Sequence, residues 1–196
     1  MRIIGGEFKS RLISMPKGVD MRPTQDKVRG AVFNILGDIT GKRVLELFAG
    51  SGAFGIEAIS RGAGHAAFVD NNFRCIEAIK ENLGSLKIDN NRYDLIKADA
   101  LKVFPKLLGQ GEKFDIIFMD PPYYRELAKK CLINADAYDI LAPIGLIVVE
   151  HFKKDILPTG FRTFILSQER RYGDTVITIF RREYAKSQDS GLSGDV

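Results

Sequence analysis

The chain of 196 residues has two cysteines, two histidines and no tryptophan. Cys75 and Cys131 stand far apart in no Cys-x-x-Cys pattern, and His65 and His151 share no metal-ligand spacing. A disulfide frame, a zinc site and a Cys/His nucleophile are therefore not expected, and neither is a metal. Also missing is any apolar run near the ~20 residues that cross a bilayer. The opening Met1-Arg2-Ile3-Ile4-Gly5-Gly6 has no signal-peptide core. The expected compartment is the cytoplasm, with no membrane partner.

The length suits one domain with a substantial core. The net charge of +4 is modest, but it is concentrated. Residues 1–30 carry Arg2, Lys9, Arg11, Lys17, Arg22, Lys27 and Arg29 against Glu7, Asp20 and Asp26, which leaves 22 of each sign in the rest. A charge run alone more often solubilises a surface; a basic arm on a neutral body also suits a polyanionic partner.

Residues 3–14 read as a small ribbon around Gly5-Gly6 and Lys9-Ser10-Arg11. Thr24 is a good N-cap for a helix with Val28, Ala31, Val32, Ile35 and Leu36 on one face, ended at Gly37. From Lys42 strands and helices alternate. Strands are expected at Arg43–Phe48, Ala66–Val69, Tyr93–Ile96, Phe114–Met119 and Leu146–Glu150. Helices are expected across Phe54–Ser60, Asn72–Leu83, Ala100–Leu108 and within Arg125–Asn134. Such βαβ repeats require parallel strands with crossover helices on both faces. Phe161–Ser167 and Thr175–Phe180, joined by Tyr172-Gly173-Asp174, read as a terminal antiparallel pair. The polar, Gly/Ser-rich end reads as disordered. The expected division is a basic arm and helix over 1–40, a catalytic body over 41–184 and a tail over 185–196.

The first strand runs into Ala49-Gly50-Ser51-Gly52-Ala53-Phe54-Gly55, a G-x-G-x-x-G that opens a helix. Glycines permit a tight turn and let a ligand approach the helix N-terminus. Asp70 ends the second strand, where a carboxylate can accept both hydroxyls of a ribose. Alone the glycine pattern is weak, since tight strand-to-helix packing also wants glycine. With Asp70 it favours a nucleoside cofactor, and both a nicotinamide cofactor and S-adenosylmethionine fit. Asp99, beyond the third strand, suits an adenine edge, a helix N-cap, or both.

Asp120-Pro121-Pro122-Tyr123 ends the fourth strand. Two prolines there make a stiff, extended corner with a carboxylate and free carbonyls pointing outward. The exocyclic amine of a nucleobase is a poor nucleophile because its lone pair is delocalised into the ring. Acceptors on its N–H groups, Asp120 and the Pro121 carbonyl, can orient it towards a sulfonium methyl, while Tyr123 offers a face for base stacking. A nicotinamide enzyme has no use for such a corner. As a plain strand ending it would be unremarkable; following a glycine loop in the same βα series, it reads as a site.

With those residues in view the chain resembles the bacterial guanine-N2 methyltransferases of 16S ribosomal RNA. The resemblance rests on Met1-Arg2-Ile3-Ile4-Gly5-Gly6-Glu7-Phe8, Arg22-Pro23-Thr24, Leu47-Phe48-Ala49-Gly50-Ser51-Gly52, Asp120-Pro121-Pro122-Tyr123 and Arg171-Tyr172-Gly173. It implies a Rossmann-like seven-stranded α/β sheet, mostly parallel with an antiparallel last strand, and helices on both faces. It implies S-adenosyl-L-methionine as methyl donor and, as substrate, the guanine at position 966 of 16S rRNA, naked or in a 30S assembly intermediate. By motif, Glu46, Phe48, Ala49, Gly50, Ser51 and Gly52 would hold the methionine end. Asp70 and Asn71 would hold the ribose, Asp99 and Ala100 the adenine, and Asp120 to Tyr123 the guanine. Glu46 departs from the Asp more usual there, which lengthens its reach to the methionine amine by a methylene.

Arg2, Lys9, Arg11, Arg22, Lys27 and Arg29 are the candidate phosphate contacts, since Lys and Arg supply most RNA affinity while the corner selects the base. A monomer is expected. The rivals are a DNA adenine-N6 methyltransferase, for which no inserted target-reading region is long enough, and a non-catalytic RNA-binding assembly factor, which would not need Asp120.

Overall fold

The computed structural model describes residues 1–18, 26–122 and 126–183. Helix α1 (Asp26–Leu36) precedes β1 (Arg43–Leu47), α2 (Ala53–Ser60), β2 (His65–Asp70), α3 (Phe73–Ser85) and β3 (Tyr93–Lys97). Then come α4 (Phe104–Gly109), β4 (Phe114–Met119), α5 (Leu127–Tyr138), β5 (Leu141–Phe152), β6 (Phe164–Tyr172) and β7 (Thr175–Arg182). The strands form one seven-stranded sheet in the order β3-β2-β1-β4-β5-β7-β6. Strands β1 to β5 pair in parallel, and β7 lies antiparallel between β5 and β6. Six strands therefore point one way and the last strand of the chain opposes them, as the sequence suggested.

The order has a consequence for function. The chain leaves β1 outward to β2 and β3, then returns to lay β4 on the other side of β1. In such sheets the crevice at the strands' carboxyl ends opens where the order reverses, here between β1 and β4.

Side chains alternate across each strand, and the two faces bury separate cores. Val44, Ala66, Phe68, Ile116, Phe118, Val148 and Ile177 face one cluster with α1, α2 and α3. Leu45, Leu47, Val69, Ile117, Met119, Ile147 and Phe180 face the other, against α4 and α5. Strands buried on both faces read as near-continuous apolar runs. On the first face Phe33 of α1 stacks on Phe54 of α2 at 4.7 Å, and Phe54 stacks on Phe118 of β4 at 3.9 Å.

Three element boundaries differ from the expected ones, each for a physical reason. Helix α4 begins at Phe104, because Pro105 fits only a first turn; Ala100–Lys102 form a separate turn. Strand β5 starts at Leu141, since the pairing of Phe114 with Leu141 and Ile116 with Leu146 absorbs Ala142–Gly145 as a bulge. Strand β6 reaches Tyr172 because its polar run Gln168–Arg171 still pairs with β7. The turn is tight at Gly173, φ 65°. Thr24 and the 185–196 tail lie outside the described residues.

The N-terminal ribbon is real and short. Arg2 bridges Leu12 antiparallel, with Ile3 N–H donating to Arg11 and Ser10 N–H to Ile3, while Ile3 and Ile13 enter the first core. Gly6 (φ 76°) lies so close to the end of α2 that a Cβ would stand 1.7 Å from the Ser60 carbonyl. The ribbon is thus packed against α2, where Ile4, Gly5, Glu7 and Phe8 N–H donate to Glu57 and Ser60.

Candidate active site

The glycine loop leaves β1 through a sharp left-handed turn, with φ of 58° at Phe48, 56° at Gly50 and 73° at Gly52. Only glycine suits the last position, where a Cβ would meet Ile79 and Phe68 at 3.0 and 3.1 Å. Three side chains pin the loop. Asp70 accepts from Gly50 N–H at 2.9 Å with one oxygen and from Asn72 N–H at 2.8 Å with the other, tying the loop to the end of β2. Asn82 of α3 donates to the Ser51 carbonyl at 3.1 Å. Glu46 accepts from Phe54 N–H at 3.1 Å and Gly55 N–H at 2.9 Å. Gly52, the N-cap of α2, has no side chain to satisfy those amides, so an acid from the strand below does so.

Glu46 is 4% exposed. Burial pushes its carboxyl up to about 8, against the pull of both amide bonds and of the Arg29 charge. It lies beneath the loop, with both oxygens on the first amides of α2. Asp70 is half-buried at the crevice rim, and Asn71 beside it is exposed. Asp99 is exposed and accepts from Leu101 N–H at 2.8 Å, so it caps the short turn rather than α4. Ala100 is buried in the second core.

The proline corner sits directly across from the loop. Leu47 pairs with Met119, so Phe48 and Asp120 are the next residues out on adjacent strands, which neighbouring strands hold ~5 Å apart. Asp120 is half-buried, Pro121 buried and Pro122 exposed; Tyr123 lies outside the described residues. Beyond the corner opens a cleft of about 400 Å³ lined by Pro121, Pro122, Leu127, His151, Lys154 and Leu157. His151 is fixed in its wall by Thr178 Oγ1 at 2.8 Å and the Phe152 carbonyl at 3.1 Å. Burial holds its pKa below the usual histidine value.

Both thiols stay protonated. Burial pushes Cys75 up to about 12, helped by the Asp70 charge and a hydrogen bond to it, and burial pushes Cys131 equally high.

Of the proposed phosphate contacts, Arg2, Lys9, Arg11 and Lys27 are exposed, and Arg22 lies outside the described residues. Arg29 is a correction: it is 1% exposed. Its guanidinium donates to the Arg2 carbonyl at 2.6 Å and Asp26 at 3.0 Å and lies 3.7 Å from Glu57. A guanidinium locked beneath the arm cannot meet a phosphate.

Sequence reasoning missed the anchor of the arm. Glu57, 0% exposed, accepts from Ile4 and Gly5 N–H at 2.8 Å each and from Arg61 at 2.7 Å. The usable sign was the lone charge in the largely apolar helix Ala53–Ser60, since a buried charge must find partners. Asn82, 3% exposed, carried no comparable sign.

Residues 1–181 match the family described as Conserved hypothetical protein 95. The chain is 37% identical over 183 residues to the putative rRNA methyltransferase YlbH of Bacillus subtilis, covering 93% of this chain and 99% of that one. It is 32% identical over 191 residues to ribosomal RNA small subunit methyltransferase D of Escherichia coli K12, covering 97% and 94%. The solved structure of the putative methyltransferase yhhF from Escherichia coli superposes with a TM-score of 0.79 at 30% identity, over 94% of this chain and 99% of that one. The chain belongs to the Conserved hypothetical protein 95 family, to which it is joined by a match over nearly its whole length and by relatives named as rRNA methyltransferases.

Proposed function

We propose that this protein transfers a methyl group from S-adenosyl-L-methionine to the exocyclic N2 of the guanine at position 966 of 16S rRNA during small-subunit maturation. The observation that carries the reading is the juxtaposition of Asp120 and the glycine loop on adjacent parallel strands at the switch point of the sheet. A methyl donor and a planar amine held at those two places would meet.

The site fits the donor. The loop is left-handed backbone at Phe48, Gly50 and Gly52, with Phe48 half-buried at its edge, and Asp70 at the rim of β2 suits a ribose. Bound there, the cofactor supplies an electrophilic methyl group on sulfur. Asp120 and the Pro121 carbonyl accept from the guanine amine, turning its lone pair out of the ring and towards that methyl. The methyl group would leave the donor's sulfur as the N–C bond formed, and Asp120 would be placed to take the proton that the methylated N2, now an acidic ammonium, must lose. Pro121 and Pro122 keep the acceptors rigid, so little reorganisation opposes the reaction. Arg2, Lys9, Arg11 and Lys27 hold phosphates, with the arm and α1 acting as the RNA-binding extension of a monomeric catalytic body.

The test is labelled methyl transfer to 30S subunits, naked 16S rRNA and duplex DNA, followed by nucleoside analysis. N2-methylguanine at position 966 is expected, and Asp120→Ala should lower its rate by about 10²–10³. Methylated adenine in DNA without N2-methylguanine would favour an adenine-N6 enzyme acting through the same corner. Unchanged transfer by Asp120→Ala would remove that residue from the chemistry.

A further inference from the structure

We infer that Asn82 is a positioning residue that couples the basic arm to the cofactor loop, so that RNA and methyl donor bind cooperatively. The inference rests on the reading above for the identity of the two ligands. Its evidence is one buried amide used completely. Asn82 Oδ1 accepts from Ser14 N–H at 2.7 Å, and Nδ2 donates to the Ser14 carbonyl at 3.0 Å and to the Ser51 carbonyl at 3.1 Å. Both amide hydrogens and the oxygen are engaged, so the side chain has a single satisfied orientation.

The two things it joins are different in kind. Ser51 is the centre of the turn between Gly50 and Gly52. Ser14 follows the ribbon and leads to Lys17 and Gly18, where the Gly18 carbonyl accepts from Arg74 at 3.4 Å in the first turn of α3. The arm thus crosses α3 from the back of α2 towards the rim at Asp70. Arg11, one of its exposed cations, also donates to the Ser85 carbonyl of α3 at 3.3 Å. Asp70 and Glu46 hold the loop to the sheet and α2; among the described residues, Asn82 alone holds it to the arm.

Physically, RNA that immobilises the arm fixes Ser14, and through Asn82 it narrows the conformations open to Ser51. The donor then binds a loop already ordered. By linkage the donor tightens RNA binding by the same factor, and couplings of this kind lie at about five- to 150-fold.

Two substitutions separate coupling from folding. Asn82→Asp keeps the shape and the acceptor but turns both donors into a charge facing two carbonyls. Ser14→Pro removes the Ser14 N–H and fixes φ there, breaking the bond to Asn82 Oδ1 while leaving the bond between Asn82 and Ser51 intact. Calorimetry with S-adenosylhomocysteine, on the full chain with and without 30S subunits, reads the result. In the unaltered protein the subunit should tighten S-adenosylhomocysteine at least fivefold. Ser14→Pro should bind S-adenosylhomocysteine alone as the unaltered protein does and lose that factor. Asn82→Asp should lose the factor and also bind S-adenosylhomocysteine more weakly by itself. A factor near one in the unaltered protein, or one retained by Ser14→Pro, overturns the inference. Nucleoside analysis on the same samples keeps it distinct from the functional reading: N2-methylguanine formed without coupling sinks only the coupling, whereas subunits that neither bind nor accept methyl sink both.

Discussion

Removing the Glu57 carboxylate should unfasten the arm at a large cost in stability. Glu57 is fully buried and holds two backbone amides, Ile4 and Gly5, together with Arg61 at 2.7 Å and Arg29 at 3.7 Å. Glu57→Ala leaves the buried Arg29 guanidinium with only the exposed Asp26 as counter-charge, close to the situation that costs roughly 3–5 kcal/mol. The two amides add a smaller penalty, because the arm can peel away and give them water. We take about 4 kcal/mol for the whole. For a chain of this size each kcal/mol lowers Tm by roughly 2–4 °C, so calorimetric Tm should fall by about 8–16 °C. Hydrogen exchange supplies the local readout, with the Ile4 and Gly5 amides losing protection ahead of the sheet. Lys42→Ala, which breaks a half-exposed pair with Asp115, is the control and should stay within about 0.5 kcal/mol. A Tm loss below about 3 °C, with Ile4 and Gly5 still protected, would refute the account of the anchor.

Stability should also depend on pH through Glu46, whose carboxyl rises from 4.5 to about 8 on folding. Its contribution is fully present below pH 4.5 and is lost as pH rises through 8, a change on the order of 5 kcal/mol; Glu46→Gln should flatten that slope in urea midpoints taken at pH 5 and 8.5, and parallel slopes would count against it. Gly52→Ala forces a left-handed backbone that costs an alanine about 1–2 kcal/mol, with a Cβ 3.0 Å from Ile79. Calorimetry with S-adenosylhomocysteine should show at least a tenfold loss, and unchanged affinity would contradict the strained-loop geometry. If Arg2, Lys9, Arg11 and Lys27 each neutralise one phosphate, log affinity for 16S rRNA should fall with log salt at a slope of about three to four, and Arg11→Ala should lower it by about one. Arg29→Ala should leave the slope alone and lower Tm instead, because its guanidinium lies within the fold.

Much of the fold was legible because its signals are local. Apolar runs such as Phe114–Met119 and Arg43–Leu47, with glycines and a proline pair at their ends, fix strands without reference to the rest of the chain. The site's outline was legible for a related reason: left-handed turns demand glycine, and a rigid corner demands proline. Boundaries failed where pairing partners decide them, as in β5, whose start at Leu141 depends on Phe114, and in the polar half of β6, which is strand only because β7 lies beside it. Arg29 failed for the same reason, since an arginine's charge is visible in sequence and its burial is not.

The amino-acid sequence by itself determined that strands alternate with helices, that a glycine loop and an Asp-Pro-Pro corner close two of those strands, and that the positive charge gathers at one end. Only the tertiary structure decided that the loop and the corner face each other. That follows from the order in which strands pair, a matter of long-range burial rather than of local pattern. It alone decided, too, which charged and polar residues serve the fold: Glu46, Glu57, Arg29 and Asn82 owe their roles to partners between 3 and 68 residues away, and the energy of a buried polar group is set by those partners rather than by its own neighbours in the chain.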